Sequence, residues 1–124
     1  MTEPQASAYR WQDLDNEQLS PTITRRMIMT DRVTLAKFEL AAGAVVATHV
    51  HEQEQLTYIE RGRLRLWLGE DESQVHDVGA GEVLHIPSNL PHRAEAIETT
   101  VATDVFCPRR DDWLEGTDSY LRGE

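Results

Sequence analysis

Short alternating stretches of apolar and polar residues, separated by glycines, recur from residue 33 onward, and no long helical stripe competes with them. Val33-Thr-Leu-Ala-Lys-Phe-Glu-Leu40, Leu64-Arg-Leu-Trp-Leu68 and Thr99-Thr-Val-Ala-Thr-Asp-Val-Phe106 each follow the period of two that sorts side chains onto opposite faces of a strand. Gly43, Gly62, Gly69, Gly79 and Gly81 punctuate them at intervals that suit turns. A chain with this rhythm is all-β: an antiparallel sandwich or barrel of about eight to eleven short strands. Helical turns are expected only at Asp13 to Leu19 and near Asp111 to Leu114. Residues 1–21 read as an N-terminal arm laid over the barrel or onto a partner, and residues 22–124 as the barrel itself.

At 124 residues the chain has room for one core and one domain. A net charge of −10 argues against nucleic acid and against anionic membranes as partners. The longest apolar run, around Leu40 to Ala47, is too short to span a bilayer. The first ten residues lack the basic lead-in and apolar stretch of a signal peptide. Cys107 is the single cysteine, so no intrachain disulfide can form, and it reads as a small buried filler. These features together place the protein in the cytoplasm.

Chemistry concentrates around the histidines. His49 and His51, one residue apart, point to the same side of an extended strand, as two ligands of one ion would. His92 follows the turn signal Pro87-Ser-Asn-Leu-Pro91 and is a candidate third ligand. Imidazoles in this number suit a transition metal without specifying which. His76, in an acidic loop, and His85 lack ligand spacing to the others and read as structural or exposed. Tyr58 and Trp67 read as packing residues, and Arg63 and Arg65 as a solvated or interface face.

The order Gly43-x5-His49-x-His51-x3-Gln55-x6-Gly62, followed by Gly81-x5-Pro87-x4-His92, resembles both signature motifs of the cupin superfamily. That resemblance implies a double-stranded β-helix, an antiparallel jelly-roll barrel. It also implies one divalent transition metal per chain (Ni, Zn, Mn or Fe) and a homodimer. The apolar Tyr9, Trp11, Leu14 and Leu19 of the arm, which need cover, point independently to a dimer. Where the cupin pattern usually has Glu this chain has Gln55, and by strand parity Gln55 rather than Glu54 shares the face of His49 and His51. A neutral fourth ligand leaves the metal's charge uncompensated and favours Lewis-acid chemistry. Ala96 stands where the second motif often has Asn, a position that is not a ligand.

The ending Thr99-Thr-Val-Ala-Thr-Asp104-Val-Phe106-Cys-Pro-Arg-Arg110-Asp-Asp-Trp113-Leu, with Gly116-Thr-Asp-Ser-Tyr120-Leu-Arg, resembles the KdgF-like pectin-degradation cupins. So do His51-Glu-Gln-Glu-Gln-Leu-Thr-Tyr and Leu84-His-Ile-Pro-Ser-Asn-Leu-Pro-His. The resemblance implies conversion of a 4,5-unsaturated uronate monosaccharide, a sugar acid released from pectin or alginate, to linear 5-keto-4-deoxyuronate. It carries over His49, His51, Gln55 and His92 as metal ligands, and Asp104, Phe106 and Arg110 as residues lining the site.

Those residues suit the reaction. By parity Asp104 and Phe106 share a face opposite Val101, Thr103 and Val105. From there Asp104 can shuttle a proton beside the metal, and Phe106 either walls the sugar pocket or simply fills the core. Arg110 matches a carboxylate with its fork of donors, or else pairs only with Asp111 or Asp112 on the surface. Two other functions fit the histidines: a cupin-type metal-dependent dioxygenase, and a non-catalytic module that binds a sugar acid.

Overall fold

The computed structural model describes residues 3–123, so Met1 and Thr2 of the expected arm and Glu124 lie outside the described residues. Among these, the strands are β1 (Glu17–Ser20), β2 (Ile23–Met29), β3 (Thr34–Leu40), β4 (Val45–His49), β5 (Glu54–Arg61), β6 (Arg63–Leu68), β7 (Gln74–Gly79), β8 (Val83–Ile86), β9 (His92–Ala96) and β10 (Thr100–Cys107). Two short helices, α1 (Asp111–Glu115) and α2 (Ser119–Arg122), follow the last strand. The strands form a six-stranded sheet in the order β1-β2-β3-β10-β5-β8 and a four-stranded sheet in the order β4-β9-β6-β7. All pairings are antiparallel, giving the single-domain jelly roll expected from the alternation.

The core fills the space between the sheets with residues of one parity from each strand. Ala36, Phe38 and Leu40 of β3, Ile59 of β5, Leu64, Leu66 and Leu68 of β6, and Ala94 and Ala96 of β9 are all buried. Pairing register aligns these residues in rows. Phe38, Ala102 and Ile59 form one, and Ala36, Asp104 and Thr57 the next. Thr34, Phe106, Gln55 and Ile86 form a third. On the facing sheet His49, His92 and Leu68 share a row.

The crossing from one sheet to the other depends on Gly62. Its φ is +94°, and a Cβ there would lie 2.3 Å from the Thr99 carbonyl oxygen. Only glycine tolerates both conditions. The turn that results sends β5 into β6, and thereby carries the chain from the sheet holding Gln55 to the sheet pairing with His92.

The expected helical turn at Asp13 to Leu19 is not what forms. A 3-10 turn occupies Trp11–Asp13 alone, and Glu17–Ser20 is a strand paired with β2. Tertiary interactions decide this: Leu19 enters the core, and the Glu17 carboxylate accepts two hydrogen bonds from the buried Arg25, at 3.2 and 3.3 Å. Before β1 the chain lies on the six-stranded sheet. Arg26 Nη1 donates to the carbonyls of Trp11 and Leu14 at 2.7 and 3.0 Å, and Lys37 Nζ sits 5.6 Å from the Trp11 ring centroid. The helical turn expected near Asp111 does form, as α1.

Candidate active site

His49 ends β4, His92 begins β9, and the two are cross-strand partners beyond an irregularity in the register after Val46. His51 stands two residues past the end of β4. Gln55 enters from β5 on the opposite sheet. These elements draw the three imidazoles together, with ring centroids 4.2 Å apart for His49–His92, 5.1 Å for His51–His92 and 5.5 Å for His49–His51. One nitrogen from each lies within 4.8 Å of the others.

The hydrogen bonds around the rings decide which nitrogens are available. Nδ1 of each ring faces a backbone carbonyl two residues away: His49 that of Ala47 at 2.8 Å, His51 that of Gln53 at 3.0 Å, His92 that of Leu90 at 2.8 Å. A carbonyl can only accept, so each Nδ1 carries the proton and each Nε2 keeps a bare lone pair. Gln55 is fixed in the same sense. Its amide nitrogen donates to Thr57 Oγ1 at 2.9 Å, and this turns its oxygen toward His51 Nε2, 3.1 Å away. Two acceptors therefore face each other with no proton between them, and His92 Nε2 is buried without a partner among the described residues. Such a cluster is costly unless a cation satisfies it, and three imidazoles with one amide oxygen fit a divalent transition ion.

Protonation does not compete for the lone pairs near neutrality. Burial, reinforced by the His92 charge, lowers His49 to about 3. Burial, with Arg110 and His92, lowers His51 to about 4. Burial also moves His92 downward. All three rings are neutral at pH 7, the state that binds metal.

The remaining wall comes from β10 and the C-terminal helices. Asp104 and Phe106 point inward and line the same cavity as His49, Gln55 and His92. Phe106 sets its ring 5.8 Å from that of His51 at 74°, so it does belong to the site as well as to the core. Asp104 Oδ1 is buried without a hydrogen-bond partner among the described residues. Burial pushes its carboxyl up to about 7, against the opposing pull of the Thr57 hydroxyl and the Arg110 charge. Asp104 is thus a group that can hold or release a proton at neutral pH.

Arg110 is buried rather than on the surface, yet it does pair with Asp112, and this changes what it can offer. Nε and Nη2 donate to the two Asp112 oxygens at 3.0 and 2.7 Å, and Nη2 also donates to the Tyr120 hydroxyl at 2.5 Å. Its guanidinium carbon lies 4.8 Å from the Phe106 ring centroid and 4.5 Å from that of Trp113. The full fork expected for a ligand carboxylate is already committed to Asp112. Of the three guanidinium nitrogens, Nη1 alone makes no hydrogen bond to the described residues.

Elsewhere the expectations resolve simply. His85 is exposed and bonds Glu54 at 2.7 Å, which also removes Glu54 from the site. His76 is exposed, and Arg65 pairs with Asp77 on the surface. Cys107 is exposed, not a buried filler, because it continues the strand one residue past the inward Phe106. Val101 is buried as well, beside a register irregularity where the alternation of β10 breaks.

Tyr120, Thr57 and Trp113 belong to the site as well, although none of them is assigned a role there from the sequence. Thr57 shares strand parity with Gln55, so parity alone is enough to find it. Tyr120 stacks on His49 with ring centroids 4.0 Å apart at 18°, and its hydroxyl accepts from Trp113 Nε1 at 3.2 Å as well as from Arg110. It reaches the site from a one-turn helix after a glycine, where no strand period applies.

The chain belongs to the cupin family, whose domain model matches residues 36–107. Among solved structures it resembles KdgF from Halomonas sp., at 27% identity and a TM-score of 0.78, over 86% of this chain and 99% of that one. An RmlC-like cupin from Shewanella frigidimarina NCIMB 400 shares the fold at 19% identity and a TM-score of 0.79, over 88% and 96% of the two chains. Oxalate decarboxylase OxdC of Bacillus subtilis is 26% identical over 76 residues, 60% of this chain but only 20% of that enzyme. This chain therefore spans about a fifth of OxdC. Solved structures of the Bacillus subtilis oxalate decarboxylase include work on its Mn(II) centres.

Proposed function

We propose that this chain opens the ring of a 4,5-unsaturated uronate monosaccharide and yields the linear 5-keto-4-deoxyuronate. One observation carries the reading. A single cavity holds a set of lone-pair donors shaped for a metal and, beside it, a buried carboxyl near neutrality with a bare oxygen. The likeness to Halomonas KdgF over almost its entire length supports it.

The reaction is an isomerisation, so its protons balance. The C1 hydroxyl loses its proton as C1 becomes a carbonyl, the bond from C1 to the ring oxygen breaks, and that oxygen leaves as an enolate conjugated near the C6 carboxylate. The enol then gains a proton at C4 and becomes the C5 ketone. Asp104, poised at about 7, suits both tasks: it takes the proton from the C1 hydroxyl and returns one to C4. Arg110 contributes its uncommitted Nη1 and a positive charge for the substrate carboxylate. Phe106 and Trp113 keep this charge out of bulk water, where it would be screened. His49, His51, Gln55 and His92 would hold a divalent ion, which would supply Lewis acidity for the charge that develops as the ring opens.

The test follows the absorbance of the conjugated 4,5 double bond with galacturonate-derived and alginate-derived substrates. Metal-loaded protein should remove it, and chelated protein should not. Asp104→Asn should lower kcat by about 10²–10⁴-fold with KM little changed, the usual worth of a positioned acid or base. Retained absorbance with metal-loaded protein and both substrates would overturn the reading.

A further inference from the structure

The C-terminal helices are unusually well fastened for a segment so short. Asp118, at the start of α2, is fully buried and pairs with the fully buried Arg25 of β2 at 3.0 Å. Arg122 holds the same carboxylate at 2.8 Å from one turn later, and Leu121 is buried in the core. Arg25 also sets its guanidinium carbon 4.5 Å from the Trp113 ring centroid. Truncating one member of a buried pair is far costlier than losing a surface pair, so this helix does not fray freely. What the anchorage holds in place is Tyr120. Its ring lies flat on His49, its hydroxyl ties to Arg110 and Trp113, and it lines the cavity beside Leu121.

The space left is small. The cavity has room for water centres of about 60 Å³. At roughly 10–15 Å³ for each water on that measure, and about 30 Å³ of liquid volume per water, a few waters fit, which is the bulk of one sugar ring. We propose that Tyr120 is a specificity-determining cap that restricts this site to a single-ring or smaller carboxylic acid and excludes chain ends. This rests on the uronate reading and gives it a purpose. An unsaturated oligomer carries the same terminal ring, but its C1 is locked in a glycosidic bond and cannot open. Bound at this site it would be a dead-end inhibitor, so a one-ring limit protects turnover in a mixture of lyase products.

The experiment is calorimetric titration of metal-loaded protein with a size series: formate, oxalate, galacturonate and digalacturonate. Wild type should bind galacturonate at least about tenfold more tightly than digalacturonate, a difference of about 1.4 kcal/mol. Tyr120→Ala should bring the two affinities within about threefold, less than 1 kcal/mol. Tyr120→Phe keeps the ring and should keep the discrimination. Asp118→Asn, which loosens the anchorage without touching the ring, should erode it. Equal binding of both sugars by wild type overturns the cap, as does unchanged discrimination in Tyr120→Ala. Absence of binding by every acid in both proteins also counts against it, because uncovering an occluded site must reveal something. If wild type stops at oxalate and Tyr120→Ala then admits galacturonate, the cap stands and the uronate reading fails.

Discussion

The two ends of the barrel interior are built on the same strands and obey opposite rules. Toward one end β5 presents Ile59, β10 presents Ala102, and β6 and β9 present Leu64 and Ala96, all buried and apolar. Toward the other, those strands or their neighbours present Gln55 and Thr57, Asp104, and His49 and His92. The apolar end stabilises the fold through buried area alone. The polar end leaves His92 Nε2 and Asp104 Oδ1 without partners among the described residues, a cost of roughly 1–3 kcal/mol for each such group. A bound ligand recovers that cost, so stability generated at one end holds the other in a state ready for binding.

The sharpest way to break this contrast is to remove a lone-pair donor. His92→Ala deletes the ligand that β4, β6 and the Leu90 carbonyl position. Elemental analysis after purification without chelator should fall from one divalent ion per chain to almost none. The fold, carried by the apolar end, should persist by circular dichroism. Full metal occupancy in this variant would mean that the cluster is not the metal centre.

A second effect lies in the pH dependence of the chelated protein. The three histidines titrate lower when folded than their usual 6.5, so between about pH 6.5 and 4 the unfolded chain binds more protons and stability falls with acid. Asp104 works the other way. Its carboxyl is raised from 3.8 to about 7, so across that interval the folded state binds the extra proton, and stability falls as pH rises. Three groups oppose one, and the net should be a gain in thermal stability from pH 4 toward 6.5. Asp104→Asn removes the opposing group, so melting temperature should climb more steeply with pH and end higher at pH 8. Parallel curves for the two proteins would show that Asp104 is not held protonated by its burial.

Much of this contrast is legible in the order of residues alone. Strand parity puts Gln55 inward and Glu54 outward, and sets Asp104 and Phe106 on one face, because a period of two is a local property that survives folding. The same rule, carried one residue further, turns Cys107 outward, whereas the general tendency of cysteine toward burial points the wrong way. Local pattern fails where partners outside the segment decide its geometry. Glu17 to Leu19 form a strand because Arg25 and the core claim them, and no pattern of four residues reveals a partner eight positions away. Tyr120 and the burial of Arg110 are illegible for a related reason: both arise from how two one-turn helices fold back over the barrel mouth. The composition of that tail is visible in the sequence, but its direction is not.

The smallest expected effect is also the one that probes how the two walls communicate. Gln55→Glu replaces a neutral donor with a carboxylate, a better ligand for a divalent cation, so metal affinity measured against a competing chelator should rise. Lewis acidity should fall with it, and kcat should drop by about tenfold or less, within some 1.4 kcal/mol. Thr57 adds a second signature. Its hydroxyl now accepts from the Gln55 amide and helps to lower the pKa of Asp104 across the strand pair. Facing a carboxylate it must instead donate to position 55, which withdraws that help from Asp104. The Asp104 limb of the pH–rate profile should therefore move to higher pH, while Asp104→Asn in the same background should abolish the limb. A tighter metal with an unmoved limb would separate the two walls. An unmoved limb together with unchanged metal affinity would remove Gln55 from the ligand set.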